Sequence, residues 1–266
     1  MKVSKKTEEM LRTGVAKFQK VLLAAKTRDL NESDTVAIIT DMLADIFGYD
    51  KYMEVTSELA IRGTYCDLAI KIDDKFQFLI ECKAIGIDLK EAHIRQATAY
   101  GANKGIEWVI LTNGIVWRLY RLRFEQPLSW DMVFELDLCN ANPREEKTIA
   151  YLFALTKEGV AKEARAELYD KQRFINRYTI GWLLQDETVL KAVQKALRRL
   201  VPDIKVEPAE LLATIRGDIL RRDLVESEEA AEAKTVIAKL ERRAQRAETK
   251  AKAIIPASPA NTTPTP

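Results

Sequence analysis

The stretch ELAIRGTYCDLAIKIDDKFQFLIECKAIGI, residues 58–87, decides the fold. Two runs inside it, 66–72 and 76–83, are rich in β-branched and aromatic residues, which is typical of strands. Asp73-Asp74 separates the two runs, so we expect a tight turn between them. The pattern therefore predicts a pair of neighbouring strands.

Three charged side chains of this pair are placed to meet at one end of the sheet. Because successive side chains of a strand point to opposite faces, Glu81 and Lys83 share one face. Asp67, on the preceding strand, also points away from the most apolar face. Close carboxylates repel one another unless a cation neutralises them, and their oxygens suit Mg²⁺. The pattern points to metal-assisted phosphodiester hydrolysis, in which Lys83 orients the attacking water or stabilises charge on phosphorus.

The spacing alone leaves a second interpretation open. An acidic residue two positions before Lys occurs seven times in the chain, and only Glu81 follows an apolar β-rich run with an Asp on the strand before it. In the second interpretation, Glu81 and Lys83 mark where the strand leaves the core, and they pair with each other or with solvent. From the spacing, the two interpretations are equally good.

Helices and further strands surround this pair. Apolar residues at helical spacing predict two helices before it and another over 88–103. A strand is expected over 53–59, and two more flank Asn113-Gly114, a strong hairpin signal. The order helix, three strands, helix, two strands predicts an α/β domain with three layers around a central mixed sheet.

The remainder of the chain is expected to be helical. Strand signals are few after residue 143, apart from a short strand over 203–206, and small apolar residues repeat at heptad spacing over 230–251. That repeat fits either a weak coiled coil between copies of the chain or packing onto its own domain. We predict five parts: an N-terminal amphipathic helix over 1–30, an α/β domain over 31–140, a helical region over 141–225, a long helix over 226–253 and a disordered Pro-rich tail over 254–266.

Composition and charge exclude several classes of protein. The 266 residues are 47% hydrophobic and 31% charged, as in an ordinary globular chain. No segment looks like a membrane span or a secretory signal, so we expect a cytoplasmic protein without a membrane partner. Three cysteines without a CxxC pair and a single histidine argue against disulfides, a zinc cage and Ser-His-Asp chemistry. Residues 31–125 are net acidic between net basic flanks, so a phosphate backbone is repelled at the centre unless a cation is bound there.

The ordered set of motifs over residues 31–125 resembles the PD-(D/E)xK nucleases, in particular the N-terminal nuclease domain of type I restriction enzyme R subunits. The resemblance implies a restriction-endonuclease-like fold for the predicted domain over 31–140. One position departs from the family name, because Cys66 stands where the name has Pro. Five elements carry the resemblance in the expected order: Asn31-Glu32 before a helix ending in Phe47-Gly48-Tyr49, Gly63-Thr64-Tyr65-Cys66-Asp67, Ile80-Glu81-Cys82-Lys83, Gln96-Ala97-Thr98-Ala99-Tyr100, and Leu111-Thr112-Asn113-Gly114 with Trp117-Arg118-Leu119-Tyr120.

The resemblance implies a role for each matching position. Asp67 and Glu81 would be metal ligands, joined by the backbone carbonyl of Cys82. Lys83 would be the catalytic lysine. Glu32 matches an acidic position that approaches the metal in many such nucleases. The implied cofactor is Mg²⁺, with Mn²⁺ as a substitute.

Two residues of the next helix complete the implied site. Gln96 and Tyr100 match a Q-x-x-x-Y element of the family, and because they are four residues apart they share a helix face. They would approach the site or the substrate backbone, although an ordinary half-buried helix face fits the same spacing. The chain has no GxxxxGK[ST] motif, so we expect a stand-alone nuclease domain without an ATPase motor.

Two functional hypotheses follow. The first is a Mg²⁺-dependent endonuclease that hydrolyses phosphodiester bonds in DNA, in a prokaryotic restriction, defence or DNA-processing role. The alternative is a catalytically silent DNA-binding or regulatory module of the same fold, which forms a homo-oligomer through its C-terminal helices. In the first hypothesis basic residues of the C-terminal region contact phosphates together with the N-terminal helix: Lys191, Lys195, Arg198 and Arg199.

Overall fold

The computed structural model describes residues 2–61 and 64–254, and for side chains it leaves out 58–65, 96, 243–244 and 247–254. The chain divides into two compact units, Met1–Gln172 and Arg173–Pro266. Gly63 of the quoted motif and the predicted Pro-rich tail from residue 255 onward lie outside the described residues. The bounds of the five predicted parts stay predictions.

The first unit is built on one six-stranded sheet. Its strands lie in chain order, β3 and β4 run parallel, and all other neighbours are antiparallel. The predicted turn is confirmed, because Asp73 and Asp74 join β2 to β3 with φ of 48° and 62°, the left-handed backbone that a two-residue hairpin favours. The strands are β1 (Val55–Ile61), β2 (Thr64–Ile72), β3 (Lys75–Cys82), β4 (Trp108–Thr112), β5 (Val116–Arg123) and β6 (Ser129–Asp137).

Helices cover both faces of this sheet. Alternation along β3 sends Phe78 and Ile80 into a large core with α1, α2 and α4, whereas Leu79 packs with α3 on the other face. A parallel pair needs a crossover connection, which α3 supplies between β3 and β4. The predicted α/β class with a mixed sheet between helical layers is therefore confirmed. The helices are α1 (Lys5–Thr27), α2 (Glu32–Asp45), α3 (Glu91–Lys104), α4 (Glu146–Leu155), α5 (Lys157–Ala161) and α6 (Ala164–Phe174).

The sheet has one strand more than predicted. β6 pairs with β5 from Val116↔Asp137 to Arg123↔Ser129, with a register irregularity between Leu119 and Tyr120. Apolar side chains alternate through residues 130–136, so the period-two signal is present in the sequence. The sequence analysis therefore missed β6 and the hairpin that joins it to β5.

The second unit is helical, as predicted. Leu190, Ile215 and Leu220 form its small core. The short strand predicted over 203–206 is wrong, because this segment is irregular, and the described part of the unit offers no other strand to pair with it. The unit comprises α7 (Arg177–Leu183), α8 (Glu187–Leu200), α9 (Pro208–Thr214), a π-helical turn (Ile215–Ile219), α10 (Asp223–Glu226) and α11 (Glu228–Ile254). None of the described helices has the length and apolar character that a membrane span needs.

Candidate active site

The candidate site lies where β3 ends. Past Cys82 the parallel ladder continues for one more bond, because the Lys83 backbone N–H donates to the Thr112 carbonyl at 2.9 Å. The next segment is tied to α2, since the Ile85 backbone N–H donates to Thr35 Oγ1 at 3.1 Å. These bonds fix the backbone that carries the charged residues.

Asp67 is held beside Glu81 by the backbone of β3. Its Oδ2 accepts a hydrogen bond from the Cys82 N–H at 2.7 Å. Burial raises the pKa of Asp67, although the Cys82 N–H and the charge of Lys83 act in the opposite direction. The carboxylate therefore sits in partly desolvated surroundings with one of its oxygens already fixed.

Glu81 is a buried acidic residue near the end of β3. It is 1% exposed, and its Oε1 accepts a hydrogen bond from Lys83 Nζ at 2.8 Å. Its other oxygen, Oε2, is buried without a hydrogen-bond partner among the described residues. Burial raises the pKa of Glu81 to about 7, and neighbouring Asp67 adds to this rise while Lys83 opposes it. A buried acceptor without a donor is costly, so this oxygen is poised for a cationic partner.

Lys83 connects the end of β3 to helix α2. Its Nζ contacts Glu81 at 2.8 Å and Glu32, the first residue of α2, at 3.5 Å. Burial works to lower the pKa of Lys83, but the hydrogen bond to Glu81 and the surrounding carboxylates outweigh it, so the net direction is upward. Lys83 is therefore a protonated hydrogen-bond donor at neutral pH.

The residues expected from α3 are only partly described. Gln96 lies in this helix, and its side chain is outside the described residues. Tyr100 is 2% exposed and belongs to the cluster between α3 and the sheet. His93, in the same helix, accepts a hydrogen bond at Nδ1 from the Lys90 backbone N–H at 3.2 Å. Burial and the charge of Lys83 lower the pKa of His93.

The donor set fits a divalent cation held by two carboxylates. Within the described residues no group of three or more His, Cys, Asp and Glu side chains is arranged to hold a metal ion. Asp67 and Glu81 supply two carboxylates, and the unpartnered Oε2 of Glu81 is the acceptor that a cation would satisfy. Glu32 contacts Lys83 instead. A third protein ligand would thus have to come from a backbone carbonyl, for which Cys82 is the predicted donor.

Two positioning residues were not identified from the sequence. Thr35 accepts the Ile85 N–H, and Asn113 Nδ2 donates to the Ile87 carbonyl at 3.0 Å. Together they anchor the segment that follows Lys83. Asn113 was recognised as a turn residue and as part of a family motif, without a positioning role, and no sequence signal distinguishes Thr35.

The basic residues predicted to contact phosphates lie on α8, in the second unit. Lys191 forms an ion pair with Glu187 at 2.6 Å. Lys195, Arg198 and Arg199 are exposed, and none of them has an ion-pair partner within the described part of the chain. Their role in phosphate binding stays a prediction.

Comparison with known protein families gives a match within the first unit. The sequence model of a family described as the type I restriction enzyme R protein N terminus matches residues 38–127. The matched range includes Asp67, Glu81 and Lys83. It also includes Gln96 and Tyr100 of α3, whereas Glu32 precedes it. No curated protein and no solved structure matches the chain. The family match supports the resemblance to PD-(D/E)xK nucleases and a nuclease-like or restriction-related role.

Proposed function

We propose that the first unit is a Mg²⁺-dependent endonuclease that hydrolyses phosphodiester bonds in DNA, in a restriction or defence role. One observation supports this most: the buried, unpartnered Oε2 of Glu81 lies in a carboxyl group that contacts Lys83 and has Asp67 beside it. The family match to residues 38–127 covers all three of these residues. Mn²⁺ should substitute for Mg²⁺, because the same oxygen ligands suit both ions.

The cation would be held by Asp67, Glu81 and the carbonyl of Cys82. When bound, Mg²⁺ supplies positive charge that polarises a phosphoryl oxygen and makes a bound water more acidic. The Cys82 N–H keeps one oxygen of Asp67 in place. The α3 residues Gln96 and Tyr100 are proposed to support the site or the substrate backbone.

Lys83 is proposed to stabilise negative charge that develops on phosphorus. Its pKa is raised, so it carries a proton at neutral pH and acts as a donor instead of a general base. Glu81 and Glu32 both contact its Nζ, and these contacts direct the ammonium group. Glu32 is therefore a positioning residue for Lys83 in this proposal.

The test is plasmid cleavage in Mg²⁺ by wild type and by Asp67→Asn, Glu81→Gln and Lys83→Ala. Each variant should lose about a hundredfold or more in rate, since each removes charge stabilisation of the transition state. Matched controls lie at the other end of the same hairpin, where Asp74→Asn and Lys75→Ala should cleave like wild type. Wild-type rates in the three site variants would refute the proposal, as would the absence of cleavage by wild type on any DNA substrate.

The alternative is a catalytically silent module of the same fold that binds DNA. Two observations favour it: no group of three or more His, Cys, Asp and Glu side chains among the described residues is arranged to hold a metal, and Lys83 already forms an ion pair with Glu81. Such a module would bind DNA with strong salt dependence and release no heat on titration with Mg²⁺ or Mn²⁺.

Self-association of the chain through α11 is part of this alternative. Light scattering on the full chain and on a chain ending near Val225 tests it, because a monomeric full chain would end the idea.

A further inference from the structure

A second candidate site lies at the opposite end of the sheet from Cys82. There a cavity of about 430 Å³ opens where β3 and β4 begin and β5 ends. Its lining includes Phe76, Gln77, Trp108 and two arginines, Arg121 from β5 and Arg165 from α6. Small-molecule sites usually enclose a few hundred Å³, so the size suits a small ligand.

Arg165 is the central feature of this cavity. The residue is 5% exposed, and its guanidinium lies over the rings of Phe78 and Trp108, with 5.0 and 5.5 Å to the ring centroids. Its Nη1 donates to the Gln77 carbonyl at 3.0 Å. The aromatic rings and this single bond hold the guanidinium in a fixed orientation.

The charge of Arg165 has no counter-ion. Within the described part of the chain no carboxylate lies at ion-pair distance from it, and its buried Nε has no hydrogen-bond partner. Burial lowers the pKa of Arg165 to about 10, which reflects the cost of a desolvated cation. Nη1 is committed to Gln77 and Nε is closed to solvent, so Nη2 is the nitrogen that remains for a ligand. A charged guanidinium N–H of this kind binds an oxygen of a phosphate or carboxylate group.

The other charges around the cavity do not compensate Arg165. Arg121 lies over Trp108 at 5.4 Å and forms an ion pair with Glu107 at 3.3 Å, so this pair is neutral. Glu163 is exposed to solvent, which screens its charge. One buried positive charge therefore faces this cavity without an internal partner.

We propose that this cavity binds the oxyanion group of a small ligand, a phosphate or a carboxylate, through the guanidinium of Arg165. A ligand oxygen accepts a hydrogen bond from Nη2, and the rest of a ligand occupies the space beside Trp108. The site is separate from the proposed nuclease centre, because it lies at the start of β3 while Glu81 and Lys83 lie at the end of that strand. It stands whether or not the chain cleaves DNA.

The test uses the full chain and the arginine side-chain Nε–H resonances in NMR. Inorganic phosphate, acetate and adenosine monophosphate are titrated in turn, against chloride at equal ionic strength. We expect the Arg165 resonance to shift saturably with at least one of these oxyanions and not with chloride. Comparing the affinities for phosphate and acetate shows whether the site prefers a phosphate or a carboxylate group. Tighter binding of adenosine monophosphate than of inorganic phosphate indicates a nucleotide-like ligand. The absence of a saturable shift with all three would overturn the proposal.

Variants of α6 supply the second measurement. Arg165→Lys keeps the charge and loses the fork of donors, so affinity for the bound oxyanion should fall at least tenfold. The matched control is Lys171→Gln, which removes an exposed cation from the same helix and should leave the affinity unchanged. Equal affinity in wild type and Arg165→Lys would contradict the assignment. The resonance measurement on wild type decides the matter even if Arg165→Lys does not fold.

Discussion

The burial of Glu81 should make the stability of the metal-free protein fall with rising pH, and Glu81→Gln should remove much of that fall. The carboxyl is 1% exposed, and its Oε2 has no partner among the described residues. Its ionised form is therefore poorly accommodated, although Lys83 offsets part of the cost. Glutamine keeps the size of the side chain and cannot ionise.

The size of the effect follows from the two pKa values of Glu81. The pKa is raised in the folded protein from 4.5 to about 7, so the folded chain holds the proton more tightly than the unfolded chain. Stability is then greatest below the unfolded pKa and is lost as the pH rises through the folded pKa. At about 1.4 kcal/mol per pH unit the full loss is about 3 kcal/mol. About 2 kcal/mol of it falls between roughly pH 5.5 and pH 8.

The assay is urea unfolding with a chelator present, at several pH values across this window. The free energy of unfolding of Glu81→Gln minus that of wild type should grow by about 2 kcal/mol from roughly pH 5.5 to pH 8. Other titrating groups are common to both proteins and cancel in the difference. The control is Glu135→Gln, which removes a half-exposed carboxylate from the same sheet. A difference that stays flat for Glu81→Gln would show that burial does not perturb this acid, and the reasoning about the site would fail.

Three further substitutions test the packing of the first unit and the role of Glu32. Tyr49→Phe removes the buried hydrogen bond from the phenol to the Leu155 carbonyl and should lower the free energy of unfolding by about 1–2 kcal/mol, measured by urea denaturation; an unchanged midpoint would contradict this. Gly101→Ala would place a Cβ 2.8 Å from the Ile106 carbonyl oxygen and should cost about 1–3 kcal/mol, and a variant as heat-stable as wild type would refute that clash. Glu32→Gln should reduce cleavage less than about tenfold, because the half-exposed side chain is 3.5 Å from Lys83, and a loss as large as that of Asp67→Asn would make it a ligand.

Local patterns were enough to predict most of the sheet. The Asp73-Asp74 turn, the alternation along β3 and the Asn113-Gly114 hairpin are signals carried by a few neighbouring residues, and the structure contains all three. The prediction of a strand over 203–206 was wrong for a physical reason. A strand exists only where another strand satisfies its backbone groups, and that condition depends on tertiary structure.

The sequence predicts which residues form the site, but it does not predict the contacts that those residues make. Strand alternation and the family resemblance placed Asp67, Glu81 and Lys83 near each other. The bond from the Cys82 N–H to Asp67 and the missing partner of Glu81 Oε2 depend on side-chain packing between neighbouring strands. Arg165 gave no sequence signal, because its environment is assembled from β3, β4 and α6, which are far apart in the chain.

The most direct test of the central claim is calorimetric titration of the protein with Mn²⁺ or Mg²⁺. Wild type should bind the ion, because Asp67 and Glu81 together leave a buried carboxylate oxygen for it. Binding should disappear in Asp67→Asn and Glu81→Gln and persist in Asp74→Asn. Wild type that takes up no ion, or an Asp67→Asn variant that binds as tightly as wild type, would contradict the account.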